Sequence, residues 1–273
     1  EAHILYYEVG APAVVAGVVS WTIPSRRGVM DPADVEKRIL KRTIHTPGTS
    51  LLCLENTHNR SGGTIVPLET MAALKEIADR HGVKVHLDGA RVFNAAVALG
   101  VPVREIARHA DTVNFCLSKG LGSPVGSLLT GPAAFIEEAR IWRKRLGGGM
   151  RQAGILAACG MVSLTQMVDR LEDDHRRARS LATGIAELPG VEVDWDTVQT
   201  NMVVARVRGS AQDWLDVLKA HEVWALPVTA DKIRLVTHAD IDDEKVDRAI
   251  SAFRVAARSM DQMNEASTGT LSS

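Results

Sequence analysis

From Val14 to about Leu146, short runs of β-branched and apolar residues alternate with stretches whose apolar residues recur at helical spacing. That alternation is the pattern of βαβ units on a largely parallel sheet. Asp31-Pro32 supplies an N-cap with proline at the first helical position and predicts a helix through about Arg42. Ser50 to Glu55 reads as a buried strand. Leu68 to His81 puts Met71, Leu74, Ile77 and Ala78 on one helical face, and Gly82 ends it. Val83 to Asp88, Asp111 to Leu117 and Val125 to Thr130 predict three more strands, and Phe135, Ala139, Trp142 and Leu146 mark one face of the next helix.

From Gln152 to about Leu188 the helical pattern continues unusually far, with Gly160 and Gly184 as its weak points, which predicts one long helix or a kinked pair. Past Pro189-Gly190 come strand candidates at Val191 to Val193, Met202 to Arg208 and Lys232 to Thr237, with helices at Ala211 to His221 and Asp242 to Met260. The expected organisation is an α/β fold: a large domain over 1–150, a connecting helix over 151–188 and a small α+β domain over 189–260. A disordered tail follows over 261–273, rich in Ser and Thr from Asn264 onward.

Composition narrows the function. The 273 residues are 45% hydrophobic and 24% charged, ordinary for a chain that folds around a core, and the net charge is −1. No global field attracts nucleic acid or an anionic membrane, so a small-molecule substrate is the expected partner. Cys53, Cys116 and Cys159 sit in apolar runs without metal-ligand spacing, which suits reduced, buried thiols in a cytoplasmic protein; no metal site is expected. No apolar stretch reaches the ~20 residues of a membrane span.

Ligands of open α/β sheets bind beyond the carboxyl ends of the strands. Asp88 ends one apolar run, where it serves as a helix cap or as a functional anion. Lys119 follows another, between Ser118 and Gly120, whose small size lets a ligand approach the amine; most lysines are merely solvated charges. Together, a buried Asp and a buried Lys on successive strand ends are what pyridoxal 5'-phosphate (PLP) chemistry needs. The amine carries the cofactor as a Schiff base, and the carboxylate keeps the pyridine nitrogen protonated.

Five motifs carry a resemblance: Leu54-Glu55-Asn56-Thr57-His58-Asn59, His86-Leu87-Asp88-Gly89-Ala90-Arg91, Ser118-Lys119-Gly120-Leu121-Gly122-Ser123-Pro124-Val125-Gly126-Ser127, Gly147-Gly148-Gly149-Met150-Arg151-Gln152 and Arg234-Leu235-Val236-Thr237-His238. With them the chain resembles the low-specificity L-threonine aldolases, PLP enzymes of the fold-type I, aspartate aminotransferase-like superfamily, through nearly all of Glu1 to Arg258.

The resemblance implies a fold-type I large domain, a small C-terminal domain and a homo-oligomer, dimer or tetramer. It makes Lys119 the Schiff-base lysine and Asp88 the partner of the pyridinium nitrogen. Arg91 falls near the cofactor's phenolic oxygen and the substrate, or forms a helix-surface ion pair. Arg234 holds the substrate carboxylate, or is a strand-edge charge. His3 stacks on the cofactor ring, and His45 lies near the substrate hydroxyl as the candidate base; each taken on its own reads first as a structural or surface histidine. Tyr7 lines the pocket or packs in the core, Asn59 positions substrate or satisfies its own turn, and Arg151 lies near the cofactor phosphate across a subunit interface or is an ordinary helix residue.

The implied reaction is retro-aldol cleavage of L-threonine or L-allo-threonine to glycine and acetaldehyde. A β-eliminating or serine hydroxymethyl-type lyase is the alternative within PLP chemistry. Two departures from the family pattern stand out. The turn at Asn59-Arg60-Ser61-Gly62-Gly63-Thr64 is longer than usual, and the sequence starts at Glu1 without the segment that in the family precedes His3 and cradles the cofactor phosphate. The expectation is therefore an N-terminally truncated chain that binds cofactor poorly alone, with a non-catalytic fragment as the third reading.

Overall fold

The computed structural model describes residues 1–269, with side chains through residue 263, and divides into two compact units, Glu1–Leu171 and Glu172–Ser273. The first unit opens with the short helices α1 (His3–Tyr6) and α2 (Ala11–Ala16) and a hairpin of β1 (Ser25–Arg26) and β2 (Val29–Met30). Two positive φ angles, Arg27 at 53° and Gly28 at 81°, make the hairpin turn. Gly28 also lies against the buried His58 ring: a Cβ there would come within 2.4 Å of His58 Cγ. Gly28→Ala is therefore expected to lower stability by about 2–4 kcal/mol, from the left-handed backbone and the clash together. Denaturant unfolding measures this, and an unchanged midpoint would contradict the packing described.

Helix α3 (Pro32–Arg38) starts as its sequence dictates, with the Asp31 carboxylate accepting the Ala33 N–H at 2.7 Å. It stops a turn before Arg42. Leu40 and Thr49 pair instead, the Thr49 N–H donating to Leu40 O at 2.9 Å, and this pulls the chain into a closed loop.

Then follow β3 (Leu51–Glu55), α4 (Leu68–Arg80), β4 (Lys84–Asp88), α5 (Val92–Leu99), α6 (Val103–Ala107), β5 (Thr112–Cys116), β6 (Ser127–Thr130), α7 (Ala133–Arg145) and α8 (Gly154–Gln166). The sheet order is β3-β4-β5-β6; the first three strands are parallel and β6 is antiparallel to β5. Side chains alternate across a strand, so Leu52, Leu54, Val85, Leu87 and Val113 share one face. There they pack with Met71, Leu74 and Ala78 of α4, Val92, Ala95 and Ala96 of α5, and Ile106 of α6.

The second unit begins with α9 (Leu171–Ala186) and continues through β7 (Val191–Val193), a 3-10 turn at Trp195–Thr197, β8 (Met202–Val207), α10 (Ala211–Ala220), β9 (Leu226–Thr229), β10 (Lys232–Val236) and α11 (Asp243–Gly269). Its antiparallel sheet, ordered β7-β8-β10-β9, packs on a core that includes Trp214 and Phe253 with ring centroids 6.1 Å apart.

Several expectations differ from these elements. Of the two forms expected over 151–188, one long helix or a kinked pair, the structure has a pair, α8 and α9, but the break falls at residues 167–170 rather than at either glycine. Both glycines permit close packing instead: a Cβ on Gly160 would stand 2.9 Å from Leu117 Cδ1, and one on Gly184 2.4 Å from Ile250 Cδ1. The compact units accordingly divide at Leu171. Helix α11 runs nine residues past Met260 into the segment expected to be disordered, ending at Gly269; residues 270–273 of that tail lie outside the described residues. The three cysteines are free and only half-buried.

Candidate active site

The second face of the parallel strands is polar. The register aligns Cys53, His86 and Thr112 in one row and Glu55, Asp88 and Asn114 in the next, at the carboxyl ends of β3, β4 and β5. One face thus supplies the core and the other a site, from a single alternation.

Glu55 organises the β3 end. It is 8% exposed; its Oε1 accepts the Asn59 N–H at 2.8 Å and its Oε2 accepts the His3 N–H at 2.7 Å. Asn56 is fully buried and exchanges both amide bonds with the Val66 backbone, at 3.3 Å each. These contacts fix the turn that presents buried Asn59, whose Oδ1 accepts from Arg91 Nη1 at 3.3 Å. Arg91 sits at the N-cap of α5, just beyond Asp88. Asn59 and Arg91 are therefore brought together, across 32 residues of sequence.

Asp88 is half-buried. Its Oδ1 accepts the Ala90 N–H at 3.2 Å and Asn114 Nδ2 at 3.3 Å, so it does cap the following turn while its Oδ2 is left to accept more. Asn114 Oδ1 lies 3.0 Å from His86 Nε2, and Thr112 Oγ1 lies 2.8 Å from His86 Nδ1. Burial and, after it, the charge of Asp88 push the neighbouring Cys53 thiol pKa up.

Beyond Cys116 the chain closes a loop. The Leu117 N–H donates to Gly126 O (2.9 Å), the Gly122 N–H to Lys119 O (2.9 Å) and the Ser123 N–H to Leu117 O (3.0 Å). Ser123 Oγ is pinned to Ser163 Oγ of α8 at 2.6 Å, both buried. Gly120 fits where a Cβ would press within 3.0 Å of Leu171 Cδ2. The loop is held, but Lys119 is exposed, not buried as the sequence suggested. It stands three residues past the strand, and the small neighbours that make room for a ligand leave its side chain uncovered.

His3 is a third exposed at its side chain. Its Nδ1 contacts Glu8 Oε1 at 2.9 Å, and its ring lies tilted on Tyr7, centroids 4.7 Å apart. A carboxylate only accepts, so Nδ1 carries the hydrogen and Nε2 of the neutral ring is a base. Tyr7 is exposed rather than in the core, and its hydroxyl accepts from Arg60 Nη1 at 3.2 Å.

The structure does not bring His45 to this cluster. It is exposed in the turn of the loop that precedes β3, where its N–H donates to Thr43 Oγ1 at 3.0 Å. The flanks of that loop, Lys41, Arg42 and residues 47–50, line a cavity with Arg80, His81 and Gly82 at the amino ends of β3 and β4. Asp88 lies at the other end of the strands. Arg151 is exposed in the bend before α8, and Arg234 is half-buried on β10 of the second unit.

His86, Asn114, Glu55 and Glu8 were not among the sequence candidates. The signal for two of them was present, since polar residues alternate with apolar ones at 86 and 88 and again at 112 and 114. Burial is the largest influence on His58, His86 and His175, and it lowers all three imidazole pKa values from 6.5, His175 to about 4. The unfolded chain takes up these protons below pH 6.5 and the folded chain resists, so stability is expected to fall as pH drops from 6.5 toward about 4. Thermal midpoints across that window check it; His175→Phe should flatten the profile, and an identical slope in that variant would contradict it.

With this geometry in place, three comparisons bear on ancestry. The model of the beta-eliminating lyase family matches residues 1–208. The low-specificity L-threonine aldolase 1 of Arabidopsis thaliana is 40% identical over 269 residues, 96% of this chain and 75% of that protein. The low specificity L-threonine aldolase of Escherichia coli K12 is 39% identical over 257 residues, 93% of this chain and 74% of that one. The solved structure of Leishmania major threonine aldolase, 20% identical, superposes with a TM-score of 0.77 over 94% of this chain and 75% of its own, which carries the fold-type I architecture. The chain accordingly belongs to the beta-eliminating lyase family, among the low-specificity L-threonine aldolases.

Proposed function

We propose that this protein cleaves L-threonine, and L-allo-threonine, to glycine and acetaldehyde with PLP as cofactor, at the carboxyl ends of β4 and β5. The observation that carries the proposal is the neighbourhood of Asp88: a carboxylate held through one oxygen, with Arg91 and Asn59 bonded to each other at the adjoining turn and the Lys119 loop following the next strand.

These residues fit the cofactor. Lys119 offers an accessible primary amine, Asp88 a carboxylate oxygen for the ring nitrogen, and Arg91 a cation for the oxygens of the cofactor or substrate. When bound, PLP supplies an electron sink for the bond broken at the substrate Cα. Asp88 keeps the ring nitrogen charged, which is what makes the sink effective. Arg234 offers the planar fork suited to a substrate carboxylate. The β-hydroxyl proton must go to a base. His3 Nε2, its tautomer set by Glu8, is the base at this end of the sheet, whereas His45 lies at the other.

Partners beyond the amino acid follow the family resemblance: a homo-oligomer, with Arg151 toward the cofactor phosphate. Among the described residues no helix is long and apolar enough to cross a membrane, and the composition suits a cytoplasmic enzyme. Product analysis tests the reaction. With cofactor and L-threonine, acetaldehyde and glycine are expected in equal amounts; ammonia and a keto acid would instead assign β-elimination.

A further inference from the structure

We propose that Asn114, itself held by His86 and Thr112, is a positioning residue that fixes the Asp88 carboxylate so that Oδ2 meets the ring nitrogen of the bound cofactor. The proposal rests on the PLP reading above. Its basis is a line of contacts in which the sense of every hydrogen bond is determined.

Asp88 Oδ1 accepts from Asn114 Nδ2 at 3.3 Å. A carboxylate has nothing to donate, so the amide must turn its nitrogen to Asp88 and its oxygen away. That oxygen lies 3.0 Å from His86 Nε2, which therefore carries the imidazole hydrogen. His86 Nδ1 is then an acceptor, and Thr112 Oγ1 donates to it at 2.8 Å. Thr112 to His86 to Asn114 to Asp88 is a single directional chain, and the register of β4 and β5 places all four on one face. Burial lowers the His86 pKa and so keeps the neutral form that this sense requires.

The consequence concerns rotation of a side chain. The Ala90 N–H also lands on Oδ1, at 3.2 Å, so two donors from different directions hold the same oxygen. The carboxylate cannot turn about its Cβ–Cγ bond without losing both, and Oδ2 stays aimed. With the Ala90 contact alone, a local turn bond, the group can swing. Groups that orient the ligands of a metal in this way change affinity or activity by about 10–100-fold when removed, and an effect of that order is expected for a group that orients Asp88.

The test uses holoprotein loaded with PLP carrying 15N in the ring, and reads the nitrogen chemical shift at neutral pH together with kcat and KM for L-threonine. Wild type should show the protonated ring and Asp88→Asn the unprotonated one; any other result for that pair takes Asp88 away from the ring nitrogen and removes the proposal with it. Asn114→Leu, similar in size but without a donor, should move the shift toward the unprotonated value and lower kcat about 10–100-fold, with KM within about twofold. His86→Leu should move it in the same direction, and His86→Gln, whose amide can still donate to Asn114 Oδ1, should restore it. A wild-type shift and kcat in Asn114→Leu overturn the proposal. If Asn114→Leu does not fold or load, the two His86 variants decide: identical behaviour of His86→Leu and His86→Gln overturns it. A loss of thermal stability with an unmoved shift overturns it as well, since that is what a purely structural contact produces.

Discussion

Lys119→Ala is expected to abolish turnover, lowering kcat for acetaldehyde release from L-threonine by about 10⁴-fold, while the protein stays folded. An alanine offers no amine to hold the cofactor or to take part in its exchange with substrate. The fold is indifferent to the change because the loop is secured by other groups: the Ser123–Ser163 pair and the backbone bonds of Leu117 and Ser118 to Gly126. Lys119 itself is exposed, and exposed side chains away from such contacts usually move stability by no more than about 0.5 kcal/mol. Thermal unfolding beside the kinetic assay separates the two effects. Turnover within tenfold of wild type would remove Lys119 from the chemistry.

Asp88→Asn should lower kcat by about 10²–10³-fold, through loss of the charge that stabilises the protonated ring nitrogen. Asparagine keeps an oxygen for the Ala90 N–H and for Asn114 Nδ2, so the end of β4 retains its geometry. What changes is the other atom, which becomes a donor where an acceptor is needed. The loss should therefore appear in kcat more than in KM, and the cofactor's absorption should move with it. Near wild-type kcat would mean that another group keeps the ring charged.

The sequence exposed the elements of this site better than their relation. Asp88 and Lys119 are legible because each is a polar residue closing an apolar run, and strand ends are where such residues acquire function. The pairing of Asn59 with Arg91 was not, since two segments 32 residues apart meet only through the parallel pairing of β3 with β4. Asn114 and His86 were missed for the same reason: their alternation is visible in one strand, but the row they form with Asp88 depends on cross-strand register. His45 stands apart from this row. A motif resemblance assigns it a role, yet the bonds between Leu40 and Thr49 close its loop at the amino ends of the strands. A glycine in a helical pattern reads as a weak point, yet the two helices over 151–188 part at residues 167–170. At 160 and 184 that glycine marks close packing instead, which no local rule distinguishes.

One particular amine, that of Lys119, is proposed to carry the cofactor. Loading the protein with PLP, reducing it with borohydride and mapping the modified peptide tests this directly, because reduction makes the bond between cofactor and lysine permanent. A single label is expected, on the peptide that contains Lys119. A label on Lys84 or Lys232, or none on Lys119, would contradict it.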